Sequence, residues 1–429
     1  MEVPFIERDL GALLPKPDSR FLVLLTGARQ TGKTTLLKRA YPGLAYFNLD
    51  AIETREWLAR QTSFAWASSP GPAILDEVQK EAGLIDKVKF AWDEGSLACT
   101  VMTGSSQILL LRHVRETLAG RVRLLELFPL GVGERAGVSP STTLFAAVAS
   151  GFSAFSELAV EFRPELSTAM VDAENEAYSW GGMPSLIGMG EADRKLWLAD
   201  YRSTFLQRDL ADLARINDLL PFSTFQRLVA LRVGGLVNYA DLARDSGLSA
   251  DTARRYLEYL RISYQAELLQ PWFANPARRL VKSPKVIVLD MGLLRSATAT
   301  WDLDSGGYFE NFLVAEMLKA LRTAKSGTLA SFWRTAGGAE VDLVLETPRG
   351  VLGIEIKNRR EAIAGDARHL RALAEDMGER WSGGLVLYRG SILRKLGEPN
   401  IWALPSWRLW APKDAREGMR LNRLPPTSP

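Results

Sequence analysis

The chain has 429 residues, 47% of them hydrophobic and 24% charged, a balance that excludes disorder over most of its length. With 53 Lys and Arg against 50 Asp and Glu, the net charge of +3 excludes a surface that coats nucleic acid throughout and leaves room only for a local basic patch. A single cysteine, Cys99, and two histidines, His113 and His369, exclude a disulfide framework, a cysteine-rich zinc site and a histidine-rich metal centre, and speak against a Ser-His-Asp hydrolase.

Residues 1–20 read as a lead-in with prolines at 4, 15 and 17. Short apolar runs then recur at 21–25, 44–49, 73–75, 98–102 and 122–127, with helical spacers between them. Such runs predict a buried parallel sheet with helices on both faces. Cys99 falls inside one of these runs and is expected in the core. Phe128-Pro129-Leu130-Gly131 closes this first block, expected as a domain over 1–130.

Gly27-Ala28-Arg29-Gln30-Thr31-Gly32-Lys33-Thr34 follows the first run and opens a helix at Thr35, the G-x-x-x-x-G-K-[ST] pattern of a phosphate-binding loop. Its glycines let the backbone wrap the phosphates, its N–H groups and the helix N-terminus supply positive potential, Lys33 reaches the β- and γ-phosphates, and Thr34 ligates Mg²⁺. Ala73-Ile74-Leu75-Asp76-Glu77 is an apolar strand ending in acids. Asp76 is expected to hold Mg²⁺ through water, and Glu77 to polarise the attacking water. The run that precedes Asp76 lies one strand beyond the loop, the spacing of an ATPase with an extra central strand. Thr100-Val101-Met102-Thr103-Gly104-Ser105-Ser106 is a strand whose small polar end is offered as a γ-phosphate sensor, with Ser105 as the site residue; Ser105 or Ser106 as turn residues is the other reading. Arg121, Arg123 and Arg208 are the arginines offered to stabilise charge, surface positions being the other reading. The expected nucleotide contacts are therefore residues 27–35 with Asp76, Ser105 and Arg121.

Residues 131–230 carry helical signals, with Trp197, Tyr201, Phe205, Leu206 and Leu210 as an expected packing stripe and Gly181-Gly182-Met183-Pro184 as a break. Between 231 and 295, Tyr239–Ser246, the Gly247 turn and a second helix from Ala250 read as a helix-turn-helix. The arms 268–281 and 285–289 follow as a hairpin, with Arg278, Arg279 and Lys282 basic. Thr252, Arg255 and Tyr259 are placed outward on the second helix. The functional reading is a winged helix on DNA; a rigid connector or a protein contact is the other.

Residues 296–410 predict a helix from Tyr308, two strands joined by Thr347-Pro348-Arg349-Gly350, a further helix and two more strands. Residues two apart share a strand face, so Glu355 and Lys357 point together, and the hairpin brings Asp342 beside them. With Glu310 on the helix, the carboxylates suit Mg²⁺ or Mn²⁺ and the lysine suits an attacking water, the layout of restriction-type nucleases. A solvent-facing hairpin is the bland reading. Residues 411–429, basic and proline-rich, are expected as a loose tail.

With these residues in view, the chain resembles a prokaryotic family of AAA-type ATPases that carry a winged helix and a C-terminal domain of unknown function similar to the PD-(D/E)XK nuclease fold. The resemblance spans about 4–405 and rests on Gly27–Thr34, 75–79, 103–106, Gly120-Arg121, 181–184, Gln207-Arg208-Asp209, Phe309-Glu310-Asn311, 340–342 and 355–357. It implies nucleotide binding at Lys33 and Thr34, magnesium at Asp76 and catalysis at Glu77. It also implies a nuclease triad of Asp342, Glu355 and Lys357, with Glu310 as the helix acid. Val341 stands where the proline of that motif would be.

The expectation is an α/β P-loop ATPase with helical extension, winged helix and nuclease-like domain. It would bind ATP and Mg²⁺, hydrolyse ATP and act on DNA, with metal-dependent cleavage at Asp342, Glu355 and Lys357. The alternative is a nucleotide-gated regulatory or binding protein whose nuclease-like domain is inactive. A kinase finds no acceptor pocket in the sequence. No apolar run reaches 18 residues and the N-terminus is mixed in charge, so no membrane partner and a cytoplasmic location are expected. Homo-oligomerisation stays open.

Overall fold

A computed structural model describes residues 5–104, 118–158, 164–204, 220–273 and 282–413. Strands β1 (Phe21–Thr26), β2 (Ala45–Asn48), β3 (Ala73–Asp76), β4 (Cys99–Gly104) and β5 (Val122–Glu126) form a parallel sheet in the order β2-β3-β4-β1-β5. Every residue of β1, β3 and β4 is buried, which is why these strands read as unbroken apolar runs. Alternation along β1 splits the core in two. Leu22 and Leu24 pack with Ile85 and Val88 of α3 (Leu84–Asp93) on one face. Val23 and Leu25 pack with Leu36 and Leu37 of α1 (Lys33–Ala40) on the other. β4 lies between the strand that feeds the loop and the strand that carries Asp76.

The middle of the chain is helical. Helices α6 (Pro164–Trp180) and α7 (Glu191–Thr204) flank the Gly181–Pro184 break; α8 (Leu220–Leu231), α9 (Tyr239–Ser246) and α10 (Ala250–Ile262) share a core of Phe222, Phe225, Leu242, Leu257 and Leu260. (α2 is Ile52–Arg60, α4 Val132–Arg135 and α5 Leu144–Ala149.) The Asn238 side chain caps α9 by accepting from the N–H groups of Ala240 and Asp241, and Ser249 caps α10 by accepting from that of Thr252. β6 (Ala266–Leu269) pairs antiparallel with β7 (Lys285–Val288). Of the arm expected over 268–281, β6 takes in Leu268 and Leu269 and begins two residues earlier, at Ala266; residues 274–281 lie outside the described residues.

After α11 (Met291–Thr298), α12 (Gly306–Ala324) is buried on nearly every side, because Phe309, Phe312 and Leu313 belong to a core that also holds Phe128 and Val132 on one side and Leu343, Leu345 and Ile354 on the other. A six-stranded sheet follows in the order β12-β13-β11-β10-β9-β8, where four strands were expected. Its strands are β8 (Leu329–Arg334), β9 (Glu340–Thr347), β10 (Gly350–Lys357), β11 (Trp381–Tyr388), β12 (Arg394–Gly397) and β13 (Ile401–Pro405), and α13 (Arg368–Met377) covers one face. The expectation of a loose tail from 411 is corrected for 411–413. Ala411 is fully buried with its carbonyl accepting from Leu144 N–H at 2.9 Å, and Lys413 N–H donates to Thr142 O at 2.7 Å. Residues 414–429 lie outside the described residues. Among the described residues, no helix is long and apolar enough to cross a membrane.

Candidate functional site

The loop after β1 is held by its own backbone. Gly27 has φ +149°, and a Cβ there would stand 2.2 Å from the Leu127 carbonyl oxygen, so only glycine fits. Lys33 is buried and donates from Nζ to the carbonyls of Gly27 and Ala28, both at 2.9 Å, across the hollow of the loop. Arg8, a residue the sequence did not single out, clamps the loop from behind. It donates to Thr31 O and Phe128 O, each at 2.6 Å, and pairs with Glu134 at 3.0 Å.

Asp76 ends β3 with three hydroxyls on its carboxylate. Thr34 donates to Oδ2 at 2.6 Å and Tyr46 to the same oxygen at 2.7 Å, while Thr103 donates to Oδ1. Burial, then the Asp76 hydrogen bond, raises the Tyr46 hydroxyl pKa above that of an ordinary phenol, so the hydroxyl stays a donor. Glu77 adopts φ 60° and ψ 45°, its N–H reaches Thr103 Oγ1 at 3.4 Å, and Gln79 Nε2 donates to its Oε2. Lys33, Thr34, Thr35 and Glu77 line a cleft of about 560 Å³ together with Arg29, Gln30 and Gly32.

The facing wall comes from the helical segment. Pro184, Ser185, Trp197 and Tyr201 line the same cleft. Ser185 Oγ donates to Gln30 Oε1 at 3.3 Å, Tyr201 OH donates to Arg29 O at 3.3 Å, and Tyr201 stacks on Trp197 with centroids 5.4 Å apart. The wall is fixed by Asp290, whose Oδ2 accepts from Gly182 N–H at 2.7 Å; a Cβ at Gly181 would stand 2.1 Å from Asp290 Oδ1. Tyr201, with Met183, Leu186 and Leu198, forms a small core against which Trp197 packs, as the stripe reading expects, and both rings also line the cleft; Phe205, Leu206 and Leu210 lie outside the described residues.

Arg121 is not brought to this cleft. It precedes Val122, which pairs with Leu22 at the start of β1, whereas the loop follows Thr26 at the other end; its guanidinium pairs with Asp93 at 2.7 Å. Arg123 sits at the same far end, donating to Leu13 O at 3.3 Å. Ser105 and Arg208 lie outside the described residues.

A second cluster forms on β9, β10 and α12. Leu343 pairs with Ile354, which sets the preceding Asp342 beside Glu355, and Asp342 Oδ2 accepts from Ile356 N–H at 2.7 Å. Lys357 Nζ donates to Glu355 Oε1 at 2.5 Å, while Glu355 Oε2 is buried with no hydrogen-bond partner among the described residues. Carboxylate oxygens of Glu310, Glu340 and Asp342 lie within 4.8 Å of one another. Burial, then the charge of Asp342, pushes the Glu355 carboxyl up to about 8 and that of Glu310 up to about 7; burial raises Asp342 as well. Lys285 was not foreseen. Its Nζ stands 2.7 Å from Glu310 and 2.5 Å from Glu340.

On α10, Arg255 is exposed and Thr252 and Tyr259 are half-buried, while Leu257 and Leu260 face the core. Lys282 is exposed; Arg278 and Arg279 lie outside the described residues.

The sheet order and the loop on β1 define an AAA-type P-loop ATPase module, and residues 19–136 match the family described as an AAA domain. Residues 172–304 and 305–409 match two domains of unknown function, DUF8612 and DUF4143. The chain belongs to the family of the uncharacterised protein Rv2008c of Mycobacterium tuberculosis, to which it is 30% identical over 384 residues, covering 86% of this chain and 77% of that protein. An uncharacterised protein of Haemophilus influenzae is 21% identical over 375 residues, covering 82% of this chain and 86% of that one. Among solved structures, the STAND-type signal-transduction ATPase PH0952 of Pyrococcus horikoshii aligns with TM-score 0.27 and 12% identity, over 76% of this chain and 48% of that one. The replication initiator DnaA bound to AMPPCP and single-stranded DNA aligns with TM-score 0.22 and 14% identity, over 56% of this chain and 82% of that one.

Proposed function

We propose that the protein binds ATP with Mg²⁺ in the cleft between the loop and α7, and hydrolyses it. The observation that carries this reading is the joining of Thr34 and Asp76 beneath Lys33, with Glu77 turned into the same cleft. A hydroxyl and a carboxylate are hard oxygen donors of the kind Mg²⁺ takes, so the residues suit the ion. When bound, Mg²⁺ supplies charge to the β- and γ-phosphates. Lys33 exchanges its two carbonyl partners for phosphate oxygens, Tyr46 and Thr103 hold the Asp76 carboxylate in place, and Glu77, steadied by Gln79, accepts a proton from the attacking water. The test is calorimetry with ATP. Lys33→Ala should lose at least about a hundredfold in affinity, since charge-assisted hydrogen bonds are worth roughly 1.5–3 kcal/mol each. Equal affinity in both proteins would sink the assignment.

The second reading concerns the C-terminal sheet, proposed as a nuclease-like domain in which Asp342, Glu355 and Glu310 hold a divalent metal and Lys357 positions a water. The buried, unpartnered Glu355 Oε2 supports it, because such an oxygen calls for a cation or a donor. The proposed partner is DNA, met by α8, α9 and α10 with β6 and β7 as a winged helix, Arg255 facing the phosphates. The alternative, a nucleotide-gated regulator with an inactive nuclease-like domain, predicts no metal binding that depends on Asp342.

A further inference from the structure

We propose that Lys285 competes with a divalent metal ion for one position: its ammonium occupies the place among Glu310, Glu340 and Asp342 that the ion would take, so the chain in this state has low metal affinity there. The proposal rests on the second reading above, with Glu340 in the place that reading gave to Glu355.

Three carboxylates whose oxygens lie within 4.8 Å of one another can share one ion at metal–oxygen lengths of roughly 2.0–2.6 Å. The Lys285 ammonium reaches two of the three, Glu310 at 2.7 Å and Glu340 at 2.5 Å, and its side chain is 1% exposed. Lysine is rarely buried to this degree, and burying it for an ion pair alone brings a desolvation cost that often exceeds the Coulombic gain. A cation is therefore being held where carboxylates need one. Burial pulls the ammonium toward its neutral form, and Glu310 and Asp342 more than offset this, so it stays charged.

The match is incomplete in a way that points to a metal. The hydrogen bonds of Lys285 go to Glu310 and Glu340, while Glu355, charge-coupled to Asp342 and Glu310, keeps a buried oxygen with no partner among the described residues. The ammonium reaches Glu310 and Glu340 and leaves Asp342 to Ile356 N–H, whereas the oxygens of all three acids are close enough to share one divalent ion. Lys285 is also carried by a different unit from its partners. It begins β7, Pro284 O accepts from Val237 N–H at 2.8 Å, and the turn after α8 closes over the same acid, with a Cβ at Gly234 falling 3.6 Å from Glu310 Oε2. Arg334 adds a second cation on the rim, 3.4 Å from Glu340.

The experiment is a Mn²⁺ titration of the full-length, nucleotide-free protein, reading free Mn²⁺ by electron paramagnetic resonance. Wild type is compared with Lys285→Met and Lys285→Gln, and Asp342→Asn in each background removes the contribution of this site from binding elsewhere. The expected result is an Asp342-dependent Mn²⁺ site at least about tenfold tighter in the Lys285 variants, because one positive charge a few ångströms away has been removed. Thermal melts should show both variants weakened without metal and restored by Mn²⁺, with wild type unmoved. Lys285→Gln keeps an N–H donor for Glu310 and carries the measurement where Lys285→Met does not fold. Equal Asp342-dependent affinity in wild type and variants overturns the competition and leaves the metal site standing. Absence of Asp342-dependent binding from every protein overturns both.

Discussion

Glu174 lies on α6 with 6% exposure, and Ser406 Oγ donates to its Oε1 at 2.7 Å. Burial pushes its carboxyl from the ordinary 4.5 up to about 7; the Ser406 hydrogen bond and the charge of Arg389 pull the other way without offsetting it. Below about pH 4.5 the folded and unfolded chains both hold this proton, and the group costs nothing. As the pH rises toward 7 only the unfolded chain releases it, so stability falls across this window and levels off above it. The displacement from 4.5 to about 7 corresponds to about 3 kcal/mol at pH 8. Glu174→Gln keeps an oxygen for Ser406 and removes the ionisation. It should match wild type near pH 4.5 and be more stable by about 2–3 kcal/mol at pH 8, a rise of several degrees in the melting transition. Melts of both proteins from pH 4.5 to 8 provide the test. A variant destabilised by the same amount at both ends would mean that Glu174 is ionised in the fold, and the burial argument would fail. The outcome bears on the cleft, because α6 runs directly into Gly181 and the wall that follows.

Two further outcomes follow from the proposed function. Glu77→Gln should bind ATP as wild type does and lose turnover by about a hundredfold, the size of a general-base contribution, as read by phosphate release; unchanged turnover would move the base elsewhere. Arg255→Ala should weaken DNA binding on all sequences alike and flatten the fall of affinity with salt, by about one counterion per lost phosphate contact. A mobility shift that does not change with this substitution would assign α9 and α10 a connecting role.

The groups that line the proposed nucleotide cleft were largely legible because they are local in the chain. The loop, the helix it opens and the acids ending β3 are contiguous in the chain, and buried strands announce themselves as apolar runs. What the sequence hid was long-range. Tyr46 reaches Asp76 from β2, and Arg8 reaches Thr31 from the lead-in; neither stands in a motif. Trp197 and Tyr201 sit at the helical spacing of the packing they make, and nothing in that spacing announces that they also line the cleft or that Tyr201 reaches Arg29 O. Arg121 was misplaced for a reason the sequence did contain. A parallel strand begins at the end of the sheet opposite its loops, so a residue before β5 is far from the loop after β1. β12 was missed because Arg394-Lys395-Leu396-Gly397 has little of the composition of a strand and pairs at a sheet edge.

The two acid-bearing sites are joined by a short and stiff piece of chain. β7 begins with Lys285 between Glu310 and Glu340, and two residues beyond its end Asp290 holds Gly182 and with it the wall of the proposed nucleotide cleft. Five residues of extended chain span about 16 Å. β7 is fully buried and paired along its length with β6, so it has little freedom to bend. A second link runs in parallel. Tyr264, between α10 and β6, meets the Thr26 hydroxyl at 2.6 Å, one residue before Gly27, and reaches Glu126 at 3.1 Å, which Arg322 of α12 also grips. β7 thus leads from Lys285 to Asp290, and Tyr264 bridges Thr26 of β1 and Glu126, the partner of Arg322 on α12. That connection is set by covalent chain and buried hydrogen bonds, and it holds whichever chemistry the acidic cluster performs.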